Sequence, residues 1–131
     1  MNNLLRSING PLLAAGLLGF VGVALGAFGA HGLEELLTRT DRLATWETAV
    51  LYHLVHAVAL LALALAGTET PGAGARRWTS RLWITGVVIF SGSLYLLCLT
   101  GQTWLGAITP LGGVALLAGW GVVGTAAWRR G

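Results

Sequence analysis

The chain has 131 residues, 55% hydrophobic and only 10% charged, with a mean hydropathy of +0.74. A water-soluble domain carries about a quarter of its residues charged, so this composition excludes one and calls for a lipid solvent. The net charge of +3 comes from basic residues that are all arginine, and a basic face toward anionic lipid accounts for it without nucleic acid.

Four apolar stretches, 11–30, 49–67, 82–100 and 105–128, are each long enough to cross ~30 Å of hydrocarbon as helices. In the first, Pro11 after Gly10 suits an opening turn and Gly32 after His31 suits a stop. At about 20 residues this stretch exceeds the ~7–15-residue core of a signal peptide, so a retained span is expected. Ala15, Gly19, Gly22, Gly26 and Gly29 recur at intervals of four and three, a seam of small residues that lets a second helix approach closely. Beyond it, Leu33, Leu36 and Leu37 share a helical face opposite Glu34 and Glu35, which predicts a short interfacial helix. Thr38 with Asp41 three residues on resembles a cap for the next helix, which is expected to start near Asp41 and run into the second span. TETPGAGARR, 68–77, reads as a flexible connector. The third span contains Cys98, the single cysteine, so no disulfide forms within the chain. In the fourth, Thr109 and Pro110 suggest a cap and first turn, and Gly112, Ala115 and Gly119 form a second small-residue seam. The expected fold is an all-α, four-helix integral-membrane bundle in one four-span domain.

Four spans place the N-terminus, the second connector and the C-terminus on one side, with Arg6, Arg76, Arg77, Arg81, Arg129 and Arg130. The other side has Arg39 and Arg42 among Glu34, Glu35, Asp41 and Glu47. The positive-inside tendency then puts both termini in the cytoplasm of a bacterial inner membrane. Trp46 and Trp104 fall at the outer ends and Trp78, Trp83 and Trp128 at the inner ends, as aromatic belts do. Trp120 alone lies well inside a span.

The stretches GAFGAHGL (26–33), WETAVLYHLVHAVALL (46–61), FSGSLYLL (90–97) and LGAITPLGG (105–113) together resemble a family of small four-helix inner-membrane proteins of unknown function. It is the YgdD/YwdK-like family, with a small mitochondrial transmembrane relative in animals. The resemblance covers nearly the whole chain in the same order. It implies four spans and an inner-membrane location, and it carries no activity, ligand or catalytic residue.

Chemistry has to come from polar groups that hydrocarbon would exclude. His53 and His56 lie three apart on one face of the second span, and His56 is ~15 Å along the helix from Trp46, near mid-membrane. Tyr95, Ser91 and Ser93 of the third span are their expected partners, with Tyr52 nearer the surface. His31, at the outer end of the first span, is expected to approach Glu47. Three roles compete. The histidines could hydrogen-bond between helices and fix their register. His53 and His56 could hold haem or a metal, although no buried carboxylate completes a ligand set. His31, His53 and His56 could also form a proton or small-solute relay. Catalysis has the least support, because Ser91 and Ser93 lack an acidic orienter in the last two spans. GAFGAHG lacks the lysine of a phosphate loop, which excludes a nucleotide. The reading favoured is a non-enzymatic accessory or interaction subunit without cofactor, surrounded by the lipid bilayer and paired with a membrane-protein partner or a second copy of itself. A channel or transporter and a haem- or metal-binding subunit are the alternatives.

Overall fold

The computed structural model describes residues 9–67, 69 and 71–129. Its helices are α1 (Gly10–Ala30), α2 (Glu34–Arg39), α3 (Leu43–Leu65), α4 (Ala73–Thr100) and α5 (Leu105–Trp128). All except α2 are long and apolar enough to cross a membrane.

Local chemistry sets the ends of these helices. The Asn9 side chain accepts the Leu12 N–H at 3.1 Å, and Pro11 lies in the first turn of α1, where its missing N–H costs nothing. In α2, Glu34 and Glu35 occupy the first turn and Arg39 the last, complementing the helix dipole, and Leu37 is fully buried. The cap expected from Thr38 and Asp41 does not form. Asp41 adopts a left-handed φ of 53°, which a short polar side chain tolerates, and α3 starts at Leu43 without a side-chain cap.

The flexible connector expected over 68–77 is shorter than its composition suggested, because α4 already starts at Ala73. Hydropathy stops at the first charge, whereas a helix can continue through arginines once it has left the hydrocarbon. Arg76 has a structural use there: its Nη1 donates to Ala66 O at 2.6 Å and Gly67 O at 3.1 Å, closing the carbonyl end of α3. At its far end α4 stops on Gly101, whose N–H bonds to Leu97 O (2.9 Å) and whose left-handed φ of 75° favours glycine. Thr109 and Pro110 do not begin α5. Its first turn is made by the N–H groups of Leu105, Gly106 and Ala107 bonding to the carbonyls three residues back, and Pro110 lies inside the helix.

Glycine decides the packing. Along α1, a Cβ on Gly22 would meet Leu54 Cδ2 at 2.7 Å, one on Gly26 would meet Val50 Cγ1 at 3.3 Å, and one on Gly29 would meet Trp46 Cδ1 at 2.5 Å. The partner numbers fall as the glycine numbers rise, so α1 and α3 are antiparallel and large residues of α3 fill the notches of α1. Between α4 and α5 the same device recurs. A Cβ on Gly86 would meet Leu116 Cγ at 2.7 Å, one on Gly112 would meet Phe90 Cα at 2.8 Å, and one on Gly119 would meet Trp83 Cδ1 at 2.5 Å. Gly19 faces open space. The bundle is thus two tightly seamed pairs, α1/α3 and α4/α5, joined where α3 meets α4. One apolar cluster around Leu60, Trp83, Val87 and Leu116 fills the half nearer the termini, and another around Leu37, Trp46, Ala49 and Tyr95 fills the half nearer α2.

Candidate functional site: a histidine and aromatic cluster

The buried face of α3 reads Trp46, Ala49, His53, His56, Leu60 and Leu63, alternating steps of three and four that keep one stripe inward. Its two histidines therefore enter the interior because the apolar residues on either side do. His53 and His56 are 3% and 5% exposed.

His56 is held from both sides. Its Nδ1–H donates to Tyr52 O, one turn back on the same helix, at 2.7 Å. A carbonyl can only accept, so Nε2 carries the lone pair, and that nitrogen receives the indole N–H of Trp120 on α5 at 3.0 Å. Aromatic rings surround the imidazole: Tyr52 lies parallel at a centroid distance of 6.3 Å, and Trp83 and Trp120 stand edge-on at 6.0 Å each. Trp83 and Trp120 also meet each other at 4.7 Å.

His53 is held from one side only. Its Nδ1 and the Tyr95 hydroxyl of α4 are 3.0 Å apart, while Nε2 has no hydrogen-bond partner among the described residues. Tyr95 reaches His53 because a helical side chain leans toward its own N-terminus, and its ring packs on Trp46 at 4.8 Å on the way.

The remaining polar groups bridge helices. Ser91 Oγ donates to Ala49 O at 2.7 Å, joining α4 to α3. Ser93 Oγ pairs with Thr109 Oγ1 at 2.7 Å, joining α4 to α5, and also donates to Phe90 O. Trp46 Nε1 donates to Leu25 O at 2.9 Å, joining α3 to α1. Arg42 Nη1 donates to Leu97 O at 2.8 Å, tying the approach to α3 onto the carbonyl end of α4. Each interface between packed spans thus contains a buried or part-buried hydrogen bond.

His31 and Glu47 lie elsewhere. His31 is exposed and lines a shallow surface hollow with Glu34, Glu35, Thr38 and Arg39, and its contribution to the fold is its backbone N–H, which closes α1 onto Ala27 O and Phe28 O. Glu47, also exposed, lines a separate lateral groove with Gly29, Ala30 and Trp46.

Sequence reasoning did not anticipate Trp83, Trp120, Thr109 or Gly86 in these contacts. Trp83 is 3% exposed and therefore a core residue rather than part of a belt, unlike Trp78, Trp104 and Trp128, which are all exposed. The usable signal was the depth of Trp120: an indole N–H in mid-span needs an acceptor, and His56 is at matching depth.

Among the described residues no three His, Cys, Asp or Glu side chains gather closely enough to hold a metal ion, and His56 Nε2 already accepts from Trp120 Nε1.

Four apolar spans locked by interhelical hydrogen bonds define a small helical integral-membrane protein. Comparison with known sequences gives its family: residues 25–113 match DUF423, described as "Protein of unknown function", and the chain belongs to that family. It is 46% identical to the UPF0382 membrane protein YwdK of Bacillus subtilis over 105 residues, covering 80% of this chain and 85% of that one. It is 40% identical to the UPF0382 membrane protein C1782.12c of Schizosaccharomyces pombe over 111 residues, covering 81% and 91%. A UPF0382 membrane protein of Haemophilus influenzae is 38% identical over 112 residues, covering 86% and 88%. No solved structure matches the chain.

Proposed function

We propose that the protein is a non-enzymatic accessory subunit of the bacterial inner membrane, with both termini in the cytoplasm, and that His56 sets helix register rather than binding a cofactor or relaying protons. The observation that carries the structural role is the saturation of His56: one ring nitrogen gives its proton to Tyr52 O and the other accepts from Trp120. A proton relay needs a ring nitrogen free to pick up or release a proton, and here both are committed.

The partner-binding part of the proposal is supported by uneven burial. Only 17% of the apolar windows of α1 and of α5 is buried, against 39% for α3 and for α4. The flanking helices therefore present most of their surface sideways, with Phe20 on α1 and Leu117 on α5 among the most exposed apolar residues, toward lipid or a partner helix. A photo-crosslinking residue at Phe20 or Leu117 in native membranes tests this. A discrete protein adduct of fixed size at one of these positions is expected, and lipid adducts alone at both would refute it.

A further inference from the structure

Gly26, Gly29 and Ala30 bring the last turns of α1 against α3 with no side chain longer than a methyl group. These positions offer nothing to cover the neighbouring residues of α3, and a lateral groove of about 330 Å³ is left between the two spans. The groove runs along α3 from Leu43 to Val55, a length of ~18 Å, close to the ~15 Å that one leaflet contributes to the hydrocarbon core. Trp46, which lines it, is fixed in place, being 1% exposed with its Nε1 donating to Leu25 O of α1. The groove opens sideways, since Leu51 and Val55 on its lining are 59% and 47% exposed.

Its lining is apolar apart from a single charged residue, Glu47, which is exposed. Glu47 is the fifth residue of α3, ~6 Å along the helix from its start, and a helical side chain leans back toward its own N-terminus. That direction carries the carboxylate to headgroup level, at the end of the bundle where Trp104 is exposed as a belt residue. The two arginines at this end are used elsewhere: Arg42 donates to Leu97 O, and Arg39 lines the separate hollow on α2 with Glu34 and Glu35. A carboxylate at the border of hydrocarbon calls for a cationic partner.

An apolar groove one leaflet long, with one carboxylate at its headgroup end, matches a membrane lipid whose headgroup bears a primary ammonium. We infer that the α1/α3 groove holds one phosphatidylethanolamine, its ammonium donating to the Glu47 carboxylate and one acyl chain lying along Val50, Leu54 and Val55. A primary ammonium has three N–H donors, and a charge-assisted bond to a carboxylate is the strong kind. The same chemistry disfavours other headgroups. The trimethylammonium of phosphatidylcholine has no N–H to donate, and phosphatidylglycerol brings only negative charge toward Glu47. The lipid belongs to the leaflet on the α2 side, so the inference depends neither on the orientation of the termini nor on the accessory-subunit proposal.

The test uses the full chain in nanodiscs of equal parts dioleoyl phosphatidylethanolamine, phosphatidylcholine and phosphatidylglycerol, with the lipids retained on the chain weighed by native mass spectrometry. Three variants accompany the wild type. Glu47→Gln removes the charge and keeps the shape. Ala30→Leu fills the groove from an exposed position and leaves the carboxylate in place, so the test stays decisive if either variant folds poorly. Glu34→Gln removes an exposed carboxylate outside the groove. The expected result is one phosphatidylethanolamine per wild-type chain, retained at least fivefold over the other two lipids. That preference should vanish in Glu47→Gln, occupancy should fall at least fivefold in Ala30→Leu, and Glu34→Gln should match wild type. Four results would each overturn the inference: no preference in the wild type, Glu47→Gln or Ala30→Leu within twofold of wild type, an equal loss in Glu34→Gln, which would trace the preference to general surface charge, or a lipid-free dimer that Ala30→Leu breaks, which would give the groove to a second copy of the chain.

Discussion

Replacing Gly112 with alanine adds one methyl group at the closest approach of α4 and α5. The new Cβ would lie 2.8 Å from Phe90 Cα, about 0.6 Å inside the 3.4 Å at which ordinary contact begins. The obstructing atom is backbone, so no rotamer change relieves it and the helices have to part. Parting them lengthens the 2.7 Å Ser93–Thr109 bond and lifts Trp83 from Gly119. Overpacking of this kind costs ~1–3 kcal/mol, more than the ~1 kcal/mol by which alanine outperforms glycine in a helix. Gly19→Ala is the matched control, because its Cβ meets nothing within 4 Å and only the propensity gain remains. Thermal unfolding in mild detergent, followed by loss of the monodisperse peak, should place Gly112→Ala clearly below wild type and Gly19→Ala at or slightly above it. Equal stability of the two variants would refute the account of the α4/α5 seam.

Because His31 is exposed, His31→Gln and His31→Leu should both unfold within ~0.5 kcal/mol of wild type; a large loss in His31→Leu alone would mean that its ring has a partner in the membrane-embedded protein. For orientation, single cysteines at Thr40 and Glu69 in a Cys98→Ala background should be labelled from the outer and cytoplasmic sides respectively. Labelling of both from the same side would contradict four spans.

The spans were legible because apolar length is nearly sufficient to specify a helix in lipid. Most of the α1 seam was legible as well, since glycines spaced by three and four can only line one face, yet spacing did not reveal that Gly19 lies just beyond the contact. Other features resisted for identifiable reasons. Gly86 was hidden because the other glycines of α4, Gly74 and Gly92, stand too far from it to form a seam spaced by three and four, and it acquires meaning only when Gly112 and Leu116 stand opposite. Trp83 looked like a belt residue from its place at the end of the apolar stretch, and the sequence did not show that its indole faces inward, onto Gly119 of α5. The histidine partners were half visible: Tyr95 shares the depth of His53, but depth gives no azimuth, so the sequence could not tell that His56 turns away from α4 hydroxyls toward Trp120. Pro110 signalled a helix start because proline favours the first turn, and here the helix tolerates it one turn later.

The structural role of His56 is tested most directly by a double-mutant cycle of His56→Gln and Trp120→Phe, with unfolding free energy and metal and haem content measured on the same four samples. The account predicts that each single variant is destabilised and that the two changes are coupled by ~0.6–1.7 kcal/mol, the range for interhelical hydrogen bonds in membranes, with no stoichiometric metal or haem in the wild type. Additive effects within error, together with a stoichiometric metal or haem in the wild type that disappears in His56→Gln, would contradict it.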